Sequence, residues 1–390
     1  MQTIASSAGL YTRRGFLRGV VAAGGAVAWG RVAAAQSPFE LLQAPAPLKW
    51  LDPANAESDV AGLVQSWVTP VRQFYVRSHG NTPSLDPAAY RLKVNGLVEK
   101  ELSLSLAELS SGFGEASVVA TLQCAGNRRE EFSSLKKVGG VQWGPGAIGN
   151  ASWSGVSLAA VLKAAGVKDG AKHVQFTGRD EVVHGAEKGA FGSSIPLEKA
   201  LAPETLLAYG MNGELLTPEH GFPLRAVVPG VFGVRSVKWL DTITVSAEES
   251  PNYFQQQAYK VMPPEVDEKT VDWRTQPAIQ EMIINSAVGT VTSRGGGLRV
   301  RGYAIAPGVS GEAVAKVELT VDGGKTWHAA AFTSPGVDYC WRLWEAELPA
   351  IAPGTYVAVR AVSKGGVTQP ETPAWNFKGY CFNGYHRRAV

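Results

Sequence analysis

The chain has 390 residues, of which 45% are hydrophobic, 18% charged and 44 glycine. This describes a folded, turn-rich protein with more apolar material than one core uses, since single domains usually stop growing near about 250 to 300 residues. Lys and Arg number 37 against 34 Asp and Glu, and no basic stripe interleaved with aromatics occurs, so neither nucleic acid nor an anionic lipid surface is an expected partner.

Residues 1–35 read as a targeting segment. TRRGFLR (12–18) has the twin-arginine export pattern, an apolar run follows over 19–29, and Ala33, Ala34 and Ala35 offer small residues for cleavage. The apolar run is shorter than the roughly 20 residues that span a bilayer. The expectation is export of the folded protein to the periplasm with no membrane anchor, a route suited to a protein that takes up a cofactor in the cytoplasm. Cleavage removes Arg13, Arg14, Arg18 and Arg31 and leaves the mature chain close to charge balance.

Residues 36–265 are a mixed region. Strand-like runs occur at 90–98 (YRLKVNGLV), 117–123 (SVVATLQ), 173–178 (HVQFTG) and 236–245 (SVKWLDTITV). Between them, 105–110 and 157–166 read as helices, the second ending at Gly166 in a left-handed cap. The pattern predicts an α+β domain whose polar motifs sit on loops. The stretch 263–276 combines prolines and charges without apolar periodicity and reads as a linker. After it, alternating runs at 298–306, 315–332, 340–348 and 355–363, with a turn at Asp322-Gly323-Gly324, predict an all-β immunoglobulin-like sandwich over 266–390.

The most informative segment is TLQCAGNRR (121–129). It sets Cys124 in a tight polar turn and follows it with two arginines. A thiolate is a soft ligand for a transition metal, and adjacent guanidinium groups favour both the thiolate and an oxyanion. The same residues also fit a buried structural cysteine before a solvated basic pair. Cys340 and Cys381 are then left as a candidate disulfide of the second domain. No CxxCH sequence and no CxxC cluster is present, so neither haem nor an iron–sulfur centre is expected in this chain.

Four further segments give Cys124 its context. FYVRSHG (74–80) puts Arg77 and His79 on one side of an extended run. VQWGPGAIGNASWSG (141–155) sets Trp143 at the start of a glycine-rich loop. EHGFPLRAVVPGVFGVRSVKW (219–239) gathers His220, Arg225, Arg235 and Lys238, donors suited to phosphate and pterin oxygens. ESPNYFQQQAYK (249–260) brings in Tyr259 just before the linker.

In this order the segments closely resemble the sulfite oxidase family of molybdenum enzymes over essentially all of residues 50–390. The resemblance implies a sulfite-oxidase-type molybdopterin-binding domain over 36–265, a dimerisation sandwich over 266–390, and a homodimer. It implies oxidation of sulfite, or a similar small sulfur oxyanion, by oxo transfer at a molybdenum–molybdopterin centre, with electrons passed to an external c-type cytochrome. Cys124 matches the protein ligand to molybdenum. Arg77 and Arg129 match the sulfite-binding arginines, Trp143 the tryptophan of the pocket, and Tyr259 the tyrosine beside the reactive centre. Tyr75, Val76, Arg77, Ser78, His79, Asp180, His220, Arg225, Arg235, Ser236, Val237 and Lys238 match segments that hold the pterin, with His184 able to share the role of Asp180. Where animal members carry an arginine in a WNxRG segment, this chain has Lys378 in AWNFKG, which keeps the charge and loses the two-pronged grip of a guanidinium. Reductases of the same fold family acting on a sulfoxide or other oxyanion, and a cofactor-free binding protein, are the competing readings.

Overall fold

The computed structural model describes residues 48–52, 54–184, 187–309 and 311–390, and the expected export segment 1–35 lies outside them. Among the described residues no helix is long and apolar enough to cross a membrane.

Local sequence rules account for much of the first half. Strict alternation in His173–Gly178 buries Val174 and Phe176. That strand lies in a sheet ordered Gly192–Pro196, His173–Gly178, Leu240–Ser246, Leu92–Gly96 and Leu102–Leu104. Its one parallel pairing joins Leu240–Ser246 to Leu92–Gly96. Helix Leu158–Ala165 buries Leu158, Val161, Leu162 and Ala165, one helical face, and Gly166 ends it at φ +71°. Ser105 caps Leu106–Gly112 through reciprocal hydrogen bonds with Glu108. These elements share one core cluster, in which each fully buried Val, Leu, Ile or Phe contributes about 1.5–3 kcal/mol.

A second sheet runs Glu214–Leu215, Leu206–Met211, Ile148–Ser157 and Ala116–Gln123, with Arg225–Val227 also paired to Leu206–Met211. Here two expectations change. The segment 141–155 is a loop only in its first half, because Ile148–Ser157 pairs on both sides. Its glycines serve strand packing: a Cβ on Gly155 would lie 2.0 Å from the Leu207 carbonyl oxygen, and one on Gly149 would lie 2.6 Å from the Phe74 ring. The run expected over 236–245 joins the ladder only from Leu240, since Trp239 sits at φ +50° and turns Ser236, Val237 and Lys238 out of the sheet.

The second half is a sandwich of two four-stranded sheets. One orders Asn285–Arg294, Gly297–Ile305, Arg342–Pro349 and Ala331–Phe332, and the other His328–Ala329, Val314–Thr320, Tyr356–Ser363 and His386–Ala389. Val300, Val317, Trp344 and Val359 fill the space between them. The run expected over 315–332 therefore changes sheets: it turns at Asp322, whose carboxylate accepts from the backbone N–H and hydroxyl of Thr326, and its last residues cross to the opposite sheet. Residues 263–276 hold only turns.

Arg128 links the two halves. It takes φ +68°, is fully buried, and makes a bidentate pair with Glu131 at 2.6 and 2.8 Å. It also donates to Asn285 Oδ1 at 2.7 Å and the Ser286 carbonyl at 3.1 Å, with its guanidinium carbon 4.7 Å from the Phe382 ring centre. The candidate disulfide between Cys340 and Cys381 is not formed. Each cysteine is tied to the first domain instead: the Cys340 thiol donates to the Val119 carbonyl at 3.2 Å, and the backbone N–H of Cys381 bonds the Ala125 carbonyl at 2.8 Å. Burial pushes both thiols up to about 12.

Arg128→Ala should cost about 3 kcal/mol by removing one side of a buried, fully hydrogen-bonded pair, read as a lowered denaturation midpoint. His386 is buried, accepts from Val288 N–H at 3.1 Å, and is held well below its usual range by burial and then by Arg128 and Arg388. It therefore stays neutral in the folded protein while the unfolded chain takes up a proton below about pH 6.5. Stability should fall on acidification by about 1.4 kcal/mol per pH unit from this group. His386→Asn should flatten the acid limb by one proton, and parallel limbs in the two proteins would refute the assignment.

Candidate active site

Cys124 ends the strand Ala116–Gln123 and begins the turn into helix Arg129–Leu135. Its N–H bonds the Ala147 carbonyl at 2.9 Å, and its sulfur accepts the Gly126 N–H at 3.4 Å. Gly126 admits nothing larger, because a Cβ there would lie 2.8 Å from an Arg129 Nη and 3.0 Å from the Trp143 ring. Cys124 is 6% exposed and faces a cleft.

The cleft is built from the segments picked out in the sequence. Arg77 and His79 do share a side: an Arg77 Nη lies 3.0 Å from His79 Nε2 and 3.5 Å from the Tyr259 hydroxyl. The other Nη donates to Asn55 Oδ1 at 3.0 Å and to the Ser78 carbonyl. His79 packs against Phe191 and Phe254, which also touch each other, with ring centres at 5.5 and 4.2 Å. Burial, and then Arg77 and Lys238, hold it well below the usual histidine range, so its ring is neutral, and Nε2 and the Tyr259 hydroxyl share a hydrogen bond at 2.9 Å. Tyr259 is delivered by a single π-helical turn, Phe254–Ala258.

The opposite wall carries the donors of 219–239. Lys238 Nζ bonds Ser78 Oγ and the Glu219 carbonyl, each at 2.8 Å. Arg225 donates to the carbonyls of His220 at 2.9 Å and Ser236 at 3.1 Å. His220 receives the Thr217 hydroxyl at Nδ1 and donates from Nε2 to the Phe74 carbonyl, and burial lowers it to about 3. Burial likewise lowers Arg225 to about 10, and Lys238, also facing Arg225, well below the usual lysine range. Ser236 and Val237 also line this wall, as does Tyr75, whose phenol burial pushes up.

Among the described residues none of Arg77, Arg129, Arg225 and Lys238 forms an ion pair with a carboxylate. Their hydrogen bonds go to carbonyls and neutral side chains. Buried charge without a counter-charge is costly, so this donor set fits an anionic, phosphate-bearing group, and a thiol at its edge fits a soft metal. The residues thus fit a molybdopterin.

Not every expected residue reaches the cleft. Of the pair left open, Asp180 lines it, buried and accepting from Phe191 N–H at 3.3 Å, with burial raising its carboxyl. His184 is exposed and stacks on Tyr253 at 3.5 Å. Arg235 is buried but points elsewhere: it donates to the Ile279 carbonyl at 2.8 Å and to Gln255, tying the π-helical turn to the start of the sandwich. Val76 is a buried strand residue paired with Ala56. Lys378 does not line this cleft: it lies in the field of Arg129, and its ammonium rests 4.6 Å from the centre of the Trp273 ring.

Arg129 and Trp143 lie on the other side of Cys124. Arg129 donates to the carbonyls of Gly379 at 3.1 Å and Val141 at 3.0 Å. Trp143 is fully buried and its Nε1–H has no partner among the described residues. Sequence reading missed Tyr380, which stacks on Tyr259 at 4.9 Å and lies under Arg129 at 4.8 Å. Its one sequence signal is its place two residues after Lys378.

Comparison with known proteins agrees with this architecture. The family Oxidoreductase molybdopterin binding domain matches residues 79–254, and Mo-co oxidoreductase dimerisation domain matches 270–390. Sulfite oxidase of Gallus gallus is 44% identical over 353 residues, covering 86% of this chain and 75% of that one. Sulfite oxidase of Arabidopsis thaliana is 39% identical, covering 86% and 91%. Nitrate reductase [NADH] of Solanum lycopersicum is 36% identical, covering 86% and 40%. The sulfane dehydrogenase SoxCD of Paracoccus pantotrophus shares the fold, with a TM-score of 0.75 at 24% identity over 93% of this chain and 96% of that one. The chain belongs to the sulfite oxidase family of molybdopterin oxidoreductases.

Proposed function

We propose that this protein oxidises sulfite to sulfate in the periplasm, works as a homodimer, and passes its electrons to an external c-type cytochrome. The observation that carries the reading is Cys124 with Arg77, Arg225 and Lys238 on its cleft side and Arg129 on the other, none of them ion-paired among the described residues. A bound molybdopterin with its molybdenum supplies the oxygen-atom and two-electron chemistry. Cys124 would hold the metal, while Lys238, Arg225 and the backbone around Ser236 would hold the pterin. The relatives named sulfite oxidase support the substrate, and the matched dimerisation domain supports the homodimer.

Sulfite gains one oxygen and loses two electrons, and the water that supplies the oxygen releases two protons. Its negative oxygens need donors and its sulfur must stay free to react. Arg77 and Arg129 approach from either side of Cys124 and would fix the oxygens, which removes much of the entropic cost of a productive encounter. Tyr259, hydrogen-bonded to neutral His79 and approached by an Arg77 Nη, would use its hydroxyl to orient water or the reacting group. The buried Trp143 N–H is a further donor without a partner among the described residues.

The test is metal analysis joined to sulfite-dependent reduction of cytochrome c by the wild type and Cys124→Ser. We expect molybdenum and turnover in the first and loss of turnover in the second. Equal turnover in the two would end the reading, and metal without sulfite turnover would move it to the reductases of the family. Arg129→Gln should raise KM for sulfite by about tenfold or more, the value of one charge-assisted hydrogen bond, an effect larger than its lowering of the unfolding midpoint through the lost bonds to Gly379 and Val141.

A further inference from the structure

Tyr380 belongs to the sandwich domain and is held rigidly. Asn376 brackets it, accepting its N–H at 3.1 Å and donating to its carbonyl at 2.9 Å. The residues on either side are pinned to the first domain, Gly379 through its carbonyl to Arg129 and Cys381 through its N–H to Ala125. Gly379 takes φ +62°, and a Cβ there would lie 3.0 Å from Arg129 Cγ. The chain is thus fitted closely against the arginine at this point.

The ring that results lies between two residues of the oxyanion site. One face stacks on Tyr259 with an interplanar angle of 21°, and the guanidinium of Arg129 lies 4.8 Å from the ring centre. The hydroxyl has no hydrogen-bond partner among the described residues, and the side chain is only partly exposed. Burial and then Tyr259 push its phenol up, and Arg129, Arg77 and Cys124 also act on it, which places the hydroxyl in the field of the site. A phenol that stays protonated beside the Arg129 guanidinium and the Tyr259 ring is a hydrogen-bond donor without an acceptor among the described residues, and a bound oxyanion would supply one.

We propose that Tyr380 is a substrate-contacting residue: its hydroxyl donates to an oxygen of the bound oxyanion, and its ring keeps Arg129 and Tyr259 in place. This rests on the sulfite-oxidising reading given above. The two variants that separate these roles are Tyr380→Phe, which keeps the ring and removes only the hydroxyl, and Tyr380→Leu, which removes both. Each would be compared with the metal-loaded wild type by sulfite kinetics and by calorimetric titration with sulfate.

For Tyr380→Phe we expect KM for sulfite and Kd for sulfate to rise by about tenfold, equivalent to about 1.4 kcal/mol, with kcat within about twofold and molybdenum content unchanged. A purely structural role would leave both constants untouched, and that outcome would overturn the proposal even with sulfite oxidation established. Tyr380→Leu should in addition lower kcat, as Arg129 and Tyr259 lose their platform, and a kcat equal to wild type would remove the positioning role. Should the wild type bind sulfate and yet turn over no sulfite, the reading of function fails on its own, while the sulfate titration of Tyr380→Phe still decides the contact.

Discussion

The structure is organised around positive charge that no carboxylate neutralises. Arg225 is buried and Arg77 and Lys238 half-buried, all three are bonded to carbonyls and neutral groups, and burial lowers Arg225 and Lys238 below their ordinary ranges. A protein core has no reason to keep such a set for its own stability, because hydrophobic residues of similar volume would serve as well or better. The set makes sense as a preformed receptor for an anion. Binding then returns part of the desolvation cost, so folding and cofactor uptake are thermodynamically coupled. The same constraint keeps His79 and His220 neutral, which lets each act as a directional hydrogen-bond partner for Tyr259 and Phe74.

Two adjacent arginines show how one turn divides its labour. The left-handed backbone at Arg128 sends its side chain across to the sandwich, where Glu131, Asn285 and Ser286 satisfy it. The next residue, Arg129, is turned toward the Trp143 side of Cys124, where Gly126, Gly140 and Gly379 each leave space that a Cβ would take from its side chain. One arginine holds the domains together and the other serves the site. Exchanging them by a single backbone change would leave a buried guanidinium without partners, which explains why a non-glycine residue is kept at positive φ here.

The sandwich is more than an assembly module. It supplies the carbonyl that orients Arg129, the ring that stacks on Tyr259, and through Ile279 the anchor for Arg235 beneath the π-helical turn. The oxyanion side of the site is therefore complete only when the second domain is docked. Such a site resists loosening of either domain, since the side chains are held by packing from both.

What the sequence determined by itself was whatever short-range rules control: the helices capped at Ser105 and Gly166, the alternating strands of both domains, and the chemistry of Cys124, Arg77, His79, Arg225 and Lys238, whose residue types declare what they can bind. Tertiary structure decided where equally polar residues point. Arg235 and Lys378 have the same charge as the residues of the cleft, yet a carbonyl and an indole lay closer, and Asp180 faces inward where His184 does not. It also separated Cys340 from Cys381 and brought Tyr380 onto Tyr259 across more than a hundred residues of chain. Residue type fixes what a side chain can do within its own reach, whereas its partners are fixed by the packing of segments far apart in sequence, where no local pattern records the outcome.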